Sequence, residues 1–245
     1  MNVILIGEAF RYGGQGNRTR DLSQSYDGQI KACNTHKNFF IYLEDKFKIN
    51  INLYINVYET KYKNDILNIY SNFVKYFNFP THLKSLTGLV KEIYPHINDK
   101  TLPIFICRID LFLKPYFFEI FNPNLNKITF PSICFVPHHK IHNLPRINDM
   151  MMFIPSNYFF IFENFNFTHD SCYELIKSFP NKLNSDSFSF LLNTYHDSDS
   201  FKDYNPLYQI VNRNKNKKWH TKGYIYDKIS FEPIKSDEYF DYSDG

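Results

Sequence analysis

The sequence predicts a doubly wound α/β domain, a mostly parallel sheet with helices on both faces, and three observations carry that expectation. An apolar run over Asn2 to Ala9, closing at Gly7, delivers a glycine-rich loop. Strand-length apolar segments then alternate with helical stripes through the first half, and the apolar segment Leu102 to Leu113 contains two charges, Arg108 and Asp110. Runs with no polar face suit strands buried inside a parallel sheet. Strands that alternate with helices make βαβ units, whose ligands bind outside the carboxyl ends of the strands near a switch point.

The elements follow in chain order. After the first strand, Arg11, Tyr12, Gly13, Gly14, Gln15 and Gly16 are loop chemistry. From Gln29 to Phe47, the positions Ile30, Cys33, Phe40, Leu43 and Phe47 form an imperfect helical stripe, and Ile51, Leu53, Ile55 and Val57 then alternate as a strand. Asn64 can cap a helix carrying Ile66, Leu67, Tyr70, Phe73, Val74 and Phe77. A second helix, carrying Leu83, Leu86, Leu89, Val90 and Ile93, stops before Pro95. In the next strand Arg108 and Asp110 stand two residues apart, so they share a face. The chain is then β-rich and aromatic through Phe162, with a capping box at Ser171 and Glu174 opening a helix that carries Cys172, Leu175, Ile176 and Phe179. A short helix is expected over Asp186 to Tyr195, and the signals fade after Tyr204.

With 43% hydrophobic and 22% charged residues in 245, burial can offset chain entropy and a disordered chain is excluded. The length suits one domain, taken here as residues 1–235, with 236–245 as an acidic tail expected to be mobile. Phe (26) and Tyr (19) are abundant where Gly (8) is scarce, a bias that resembles A+T-rich coding and weakens any argument from aromatic patches. A net charge of +3, with one short basic cluster from Arg213 to Lys218, does not call for a nucleic-acid partner. Cys33, Cys107, Cys134 and Cys172 lie far apart in apolar surroundings and read as buried reduced thiols. No apolar run reaches the roughly 18 residues of a membrane span, and Val3 to Ile6 is too short for a signal-peptide core. A cytoplasmic protein is expected, in the host cytoplasm if the chain is viral.

Candidate chemistry falls at three places. Arg11, Arg18 and Arg20 flank the turn at Gly13 and Gly14, where exposed backbone N–H groups could receive a diphosphate; the bland alternative is a flexible surface loop. That loop is neither a Rossmann fingerprint, since Thr19 stands where a third glycine belongs, nor a Walker loop. Arg108 and Asp110 end an apolar strand, where burying either charge alone is costly. A cleft, a divalent cation such as Mn or Mg on Asp110, or a mutual salt bridge would each resolve that cost. Asp149, in the segment Pro145 to Met150, could take a proton from an acceptor hydroxyl, or it is an ordinary turn former. Cys134, His138, His139 and His142 match no standard zinc spacing and read as a histidine-rich surface loop; His196 and His220 are metal or phosphate ligands or solvated loop residues.

Taken in order, Gly7, Glu8, Arg11, Gly13 and Gly14 after the first strand, Arg108 to Asp110 after a central strand and Arg146 to Asp149 downstream resemble glycosyltransferases of the GT-A type that build polysaccharides in bacteria and large DNA viruses. The resemblance covers about Asn2 to Met152. It implies a GT-A-like, Rossmann-related fold, a mostly parallel sheet flanked by helices with a β-rich aromatic second half. It implies a nucleotide-sugar donor held by Arg11, Gly13, Gly14, Arg18, Arg20, Arg108 and Asp110, a glycan or protein acceptor, and Asp149 at the acceptor. Arg108 replaces the first acid of the commoner Asp-x-Asp motif, which puts metal dependence in question. A non-catalytic carbohydrate- or protein-binding module on the same architecture, and another nucleotide-using transferase, stay open as alternatives.

Overall fold

The computed structural model describes residues 1–12, 19–82, 86–134, 150–163, 182–183, 185–196, 207–211, 224–226 and 233–235. The chain opens with β1 (Asn2–Gly7), a two-residue hairpin of β2 (Arg11–Tyr12) and β3 (Thr19–Arg20), α1 (Tyr26–Phe47) and β4 (Asn52–Val57). Next come α2 (Lys63–Ile69), β5 (Val74–Asn78), α3 (Leu86–Ile93), β6 (Ile104–Arg108), β7 (Leu111–Leu113) and α4 (Pro115–Ile120). The second half supplies β8 (Ile128–Cys134), β9 (Met151–Ile154), α5 (Phe160–Glu163), β10 (Phe188–His196), β11 (Tyr208–Ile210), β12 (Tyr224–Tyr226) and β13 (Pro233–Lys235).

Among the described residues, seven strands form one sheet in the order β10-β8-β9-β6-β1-β4-β5. β1 pairs in parallel with both β4 and β6, β4 with β5, and β8 with β10, while β9 runs antiparallel to β6 and β8. The chain therefore winds outward from β1 to β4 and β5, then returns to β6 on the other side of β1. That reversal makes the carboxyl ends of β1 and β6 a topological switch point, where doubly wound sheets open a crevice.

The central strands are buried on both faces, and most of their positions are apolar. Val3, Leu5, Leu53, Ile55 and Phe105 face α1, α2 and α4, where Phe39, Phe40, Leu43, Ile66, Phe117 and Phe121 cover them. Ile4, Ile6, Tyr54, Ile104 and Ile106 face α3 and α5, against Leu89, Val90, Ile93 and Phe162. In α1 the buried positions are Gln29, Ala32, Cys33, His36, Phe39, Phe40 and Leu43, a continuous three-and-four spacing. The stripe looks imperfect in the sequence because two of those positions are polar.

Three expectations are corrected. The helix begun at Asn64 does not run to Phe77: α2 ends at Ile69, and Val74 to Asn78 is the edge strand β5, with half-buried Val74 and Tyr76 alternating with exposed Lys75 and Phe77. The helix expected over Asp186 to Tyr195 is instead strand β10, running parallel to β8. In both segments β-branched and aromatic residues pair with an existing strand, and the backbone hydrogen bonds gained there override a local helical spacing. The segment Leu102 to Leu113 is two strands, β6 and β7, separated by a turn at Ile109 and Asp110. The helix expected at Ser171 lies outside the described residues.

α1 ends at Lys48, an exposed residue with left-handed backbone (φ 54°, ψ 43°). This conformation suits glycine and strains a residue with a Cβ. Lys48→Gly is expected to stabilise the fold by about 1 kcal/mol, raising Tm by roughly 2–4 °C in a thermal melt.

Candidate functional site

The site is built where β1 and β6 end side by side. Ile6 pairs with Arg108 across the two strands, and the Ile109 N–H donates to the Ile6 carbonyl at 2.9 Å. The charges of two segments almost a hundred residues apart are thereby held at one edge.

After β1 the chain turns sharply. Gly7 has φ 105°, a value glycine tolerates, and Phe10 takes the left-handed conformation at φ 51°. Phe10 is held on every side. Its carbonyl accepts from Ser25 Oγ at 2.8 Å and from the Asp21 N–H at 3.0 Å, and its ring packs against Tyr26 and Tyr62 with centroids 5.6 and 4.6 Å away. The Asp21 carboxylate accepts from Thr60 Oγ1 and, at 3.2 Å, from the Lys61 N–H, tying this connection to the end of β4.

The hairpin that follows sets two arginines against each other, since Arg11 pairs directly with Arg20. Like charges directly opposite on a ladder repel. Here each has compensation: Arg11 is buried with its Nη1 3.5 Å from Glu8 Oε2, and the Arg20 guanidinium lies 5.9 Å from the centre of the Tyr58 ring.

After β6, Arg108 and Asp110 form a fork. Arg108 Nε donates to Asp110 Oδ1 at 2.9 Å and Nη2 to Oδ2 at 2.5 Å, while Nη1 lies 3.4 Å from Met150 Sδ. Asp110 is 1% exposed and Arg108 9%. The Arg108 N–H donates to the Met150 carbonyl at 3.3 Å, and the Val211 N–H donates to the Asp110 carbonyl at 3.0 Å, so β9 and the segment after β11 close the same turn.

Beneath this turn lies a buried polar layer. His36 Nδ1 lies 3.0 Å from the Tyr70 hydroxyl and Nε2 is 3.9 Å from Cys107 Sγ. Burial drives the His36 imidazole down to about 4, against weaker raising effects from a Leu111 backbone hydrogen bond and the Asp110 charge. Burial likewise pushes the Cys33 and Cys107 thiols up, Cys107 further through Asp110. Both free thiols are therefore held protonated at neutral pH, which argues against a nucleophilic role for either.

The sequence reading nominated Arg11, Arg20, Arg108 and Asp110, and the structure brings all four to this edge. Gly13, Gly14, Arg18 and Asp149 lie outside the described residues, as do His138, His139, His142 and His220. Sequence reasoning missed Gln29 and His36, which are fully buried. Their signal was available: both are polar residues at the core phase of the α1 stripe.

A divalent cation at Asp110 would have to share the carboxylate with Arg108. Both carboxylate oxygens accept from Arg108, and among the described residues no group of three or more His, Cys, Asp or Glu side chains is placed to hold a metal. Among those residues no helix is long and apolar enough to cross a membrane.

The fold and this edge define an α/β domain with charged residues gathered at the switch point of a mostly parallel, mixed sheet. Neither a protein-family model nor a curated protein matches the sequence. Among solved structures the chain is similar to the galactosyltransferase LgtC in complex with donor and acceptor sugar analogues, at 10% identity over 78% of this chain and 73% of that one, with a TM-score of 0.45. It is also similar to the inositol-1-phosphate CTP transferase from T. maritima, at 12% identity over 76% and 92% of the two chains and a TM-score of 0.47. HddC from Yersinia pseudotuberculosis, complexed with GMP-PN, matches at 12% identity over 69% and 81%, with a TM-score of 0.43. Likeness of this degree concerns the course of the backbone alone.

Proposed function

We propose that this chain is a nucleotide-sugar-dependent glycosyltransferase that binds a nucleoside diphosphate donor at the ends of β1 and β6. The observation that carries this reading is the convergence of the Arg11–Arg20 pair with the Arg108–Asp110 fork at one switch point. Two arginines facing each other at a strand end favour an anionic ligand, and a diphosphate would add counter-charge to that of Glu8 beside Arg11 and to the Tyr58 ring beside Arg20. In this reading Arg20 and Arg11 hold the phosphates, and Arg18, Gly13 and Gly14 of the same segment are assigned to the donor with them. Arg108, oriented by Asp110, supplies positive charge where a metal would otherwise be needed.

Transfer needs an acceptor oxygen to attack the anomeric carbon while the bond from that carbon to the diphosphate breaks. The nucleoside diphosphate leaves with the bonding electrons, and the acceptor proton passes to a base. Asp149 is assigned that role, because it is joined directly to Met150, whose carbonyl accepts from Arg108. The acceptor is a hydroxyl of a glycan or a protein.

The closed fork favours one other reading, a non-catalytic carbohydrate- or protein-binding module in which Arg108 and Asp110 are a structural pair. A thermal-shift screen against UDP-, GDP-, CMP- and TDP-linked sugars, with and without Mn or Mg, separates the two. At 100 times its dissociation constant the correct donor is expected to stabilise by about 2.7 kcal/mol, a rise in Tm of roughly 5–10 °C, without requiring the cation. Release of nucleoside diphosphate on incubation with acceptor completes the assignment. Release of pyrophosphate when a nucleoside triphosphate and a sugar 1-phosphate are supplied instead would redirect it to nucleotidyl transfer, and no shift with any donor would favour the binding module.

A further inference from the structure

One buried side chain touches both walls of the crevice and has no part in the roles just assigned. Gln29 of α1 is fully buried. Its Oε1 accepts from the Phe10 N–H at 3.1 Å, and its Nε2 donates to the Ile109 carbonyl at 2.7 Å while lying 3.6 Å from Cys33 Sγ. Phe10 is the residue before Arg11, and Ile109 stands between Arg108 and Asp110. A single carboxamide thus spans from the loop after β1 to the turn after β6.

An apolar residue at this phase of α1 would fill the stripe, and burying an amide costs free energy unless both its ends are bonded. What the amide adds is one acceptor and one donor, each directed at a different wall. Phe10 itself is kept in a left-handed conformation that its surroundings over-determine, a feature that collects at functional sites.

We infer that Gln29 is a positioning residue that sets the spacing between the Arg11 wall and the Arg108–Asp110 wall. Its functional meaning rests on the nucleotide-site reading above. The bridge makes the two walls one unit, so that loosening either loosens both.

The test uses the full-length chain labelled for NMR, with Gln29→Met, which keeps side-chain length without the hydrogen bonds, and Gln29→Asn, which keeps the amide but is one methylene too short to span. Hydrogen exchange is followed at the Phe10 amide, bonded to Gln29, and at the Val211 amide, bonded to the Asp110 carbonyl. Both amides are expected to exchange at least roughly 10-fold faster in each variant, with Ile4 and Ile55 in the central strands unchanged, and affinity for the donor found in the nucleotide-sugar screen is expected to fall by a similar factor. Acceleration at Phe10 alone would make Gln29 a fastening of one loop and overturn the inference. Uniform acceleration that includes Ile4 and Ile55 would make it a core residue and overturn it equally. Wild-type exchange in Gln29→Asn would show that the span is not needed, with the same consequence. If the wild type binds no nucleotide sugar, the functional reading falls, and the exchange pattern still decides whether the bridge couples the walls.

Discussion

Asp110→Ala is expected to destabilise the fold by about 3–5 kcal/mol, lowering Tm by roughly 6–20 °C in thermal unfolding. The carboxylate is 1% exposed and receives two hydrogen bonds from Arg108, itself 9% exposed. Its removal leaves a guanidinium in a nearly closed site without its main counter-charge, and the desolvation cost of that cation then falls on the folded state alone. The apolar double variant Arg108→Met/Asp110→Leu removes both charges together and is expected to regain most of the lost stability, since buried ion pairs are commonly replaceable by packed side chains. This pair of variants also separates structure from function. A stable double variant that no longer responds to the donor places Arg108 and Asp110 in the binding site; one that responds as the wild type does makes the fork a structural tie.

The second large effect is in pH. Between pH 7 and pH 4 His36 alone is expected to remove about 3 kcal/mol of stability. Burial lowers the folded-state imidazole to about 4 from its ordinary 6.5. The unfolded chain takes up a proton on this histidine as pH falls through 6.5, whereas the folded chain does so only near 4. In that window the unfolded state holds more protons, so stability rises with pH, is fully present above 6.5 and is lost as pH falls towards 4. Denaturant unfolding across pH 4 to 7.5 measures the slope, and His36→Gln, which removes the titrating group, is expected to flatten it by that amount. An unchanged slope in the variant would assign the acid sensitivity to other groups.

Much of the fold is legible in the sequence, and the limits have identifiable causes. β1, β4 and β6 are apolar at nearly every position, and a run of that kind has no other stable place than the middle of a covered sheet. The arginines and Asp110 announce themselves because charge at the end of such a run must find a partner or a cleft. α1 is legible from its three-and-four spacing, and Gln29 and His36 could have been found as the polar members of that stripe. Val74 to Asn78 and Phe188 to His196 could not be assigned as strands from their own residues, because short aromatic segments satisfy helix and strand spacing alike and the deciding hydrogen bonds come from β4 and β8. The sequence by itself determined the buried strands, the covering helices and which charges sit at strand ends, all of them consequences of side-chain periodicity within a few residues. Only the tertiary structure decided that Arg108 closes on Asp110, that Arg11 opposes Arg20 and that Gln29 joins Phe10 to Ile109. Those contacts depend on strand order and on the angles of two turns, which are set by hydrogen bonds between segments far apart in the chain and leave no local mark in the residues that make them.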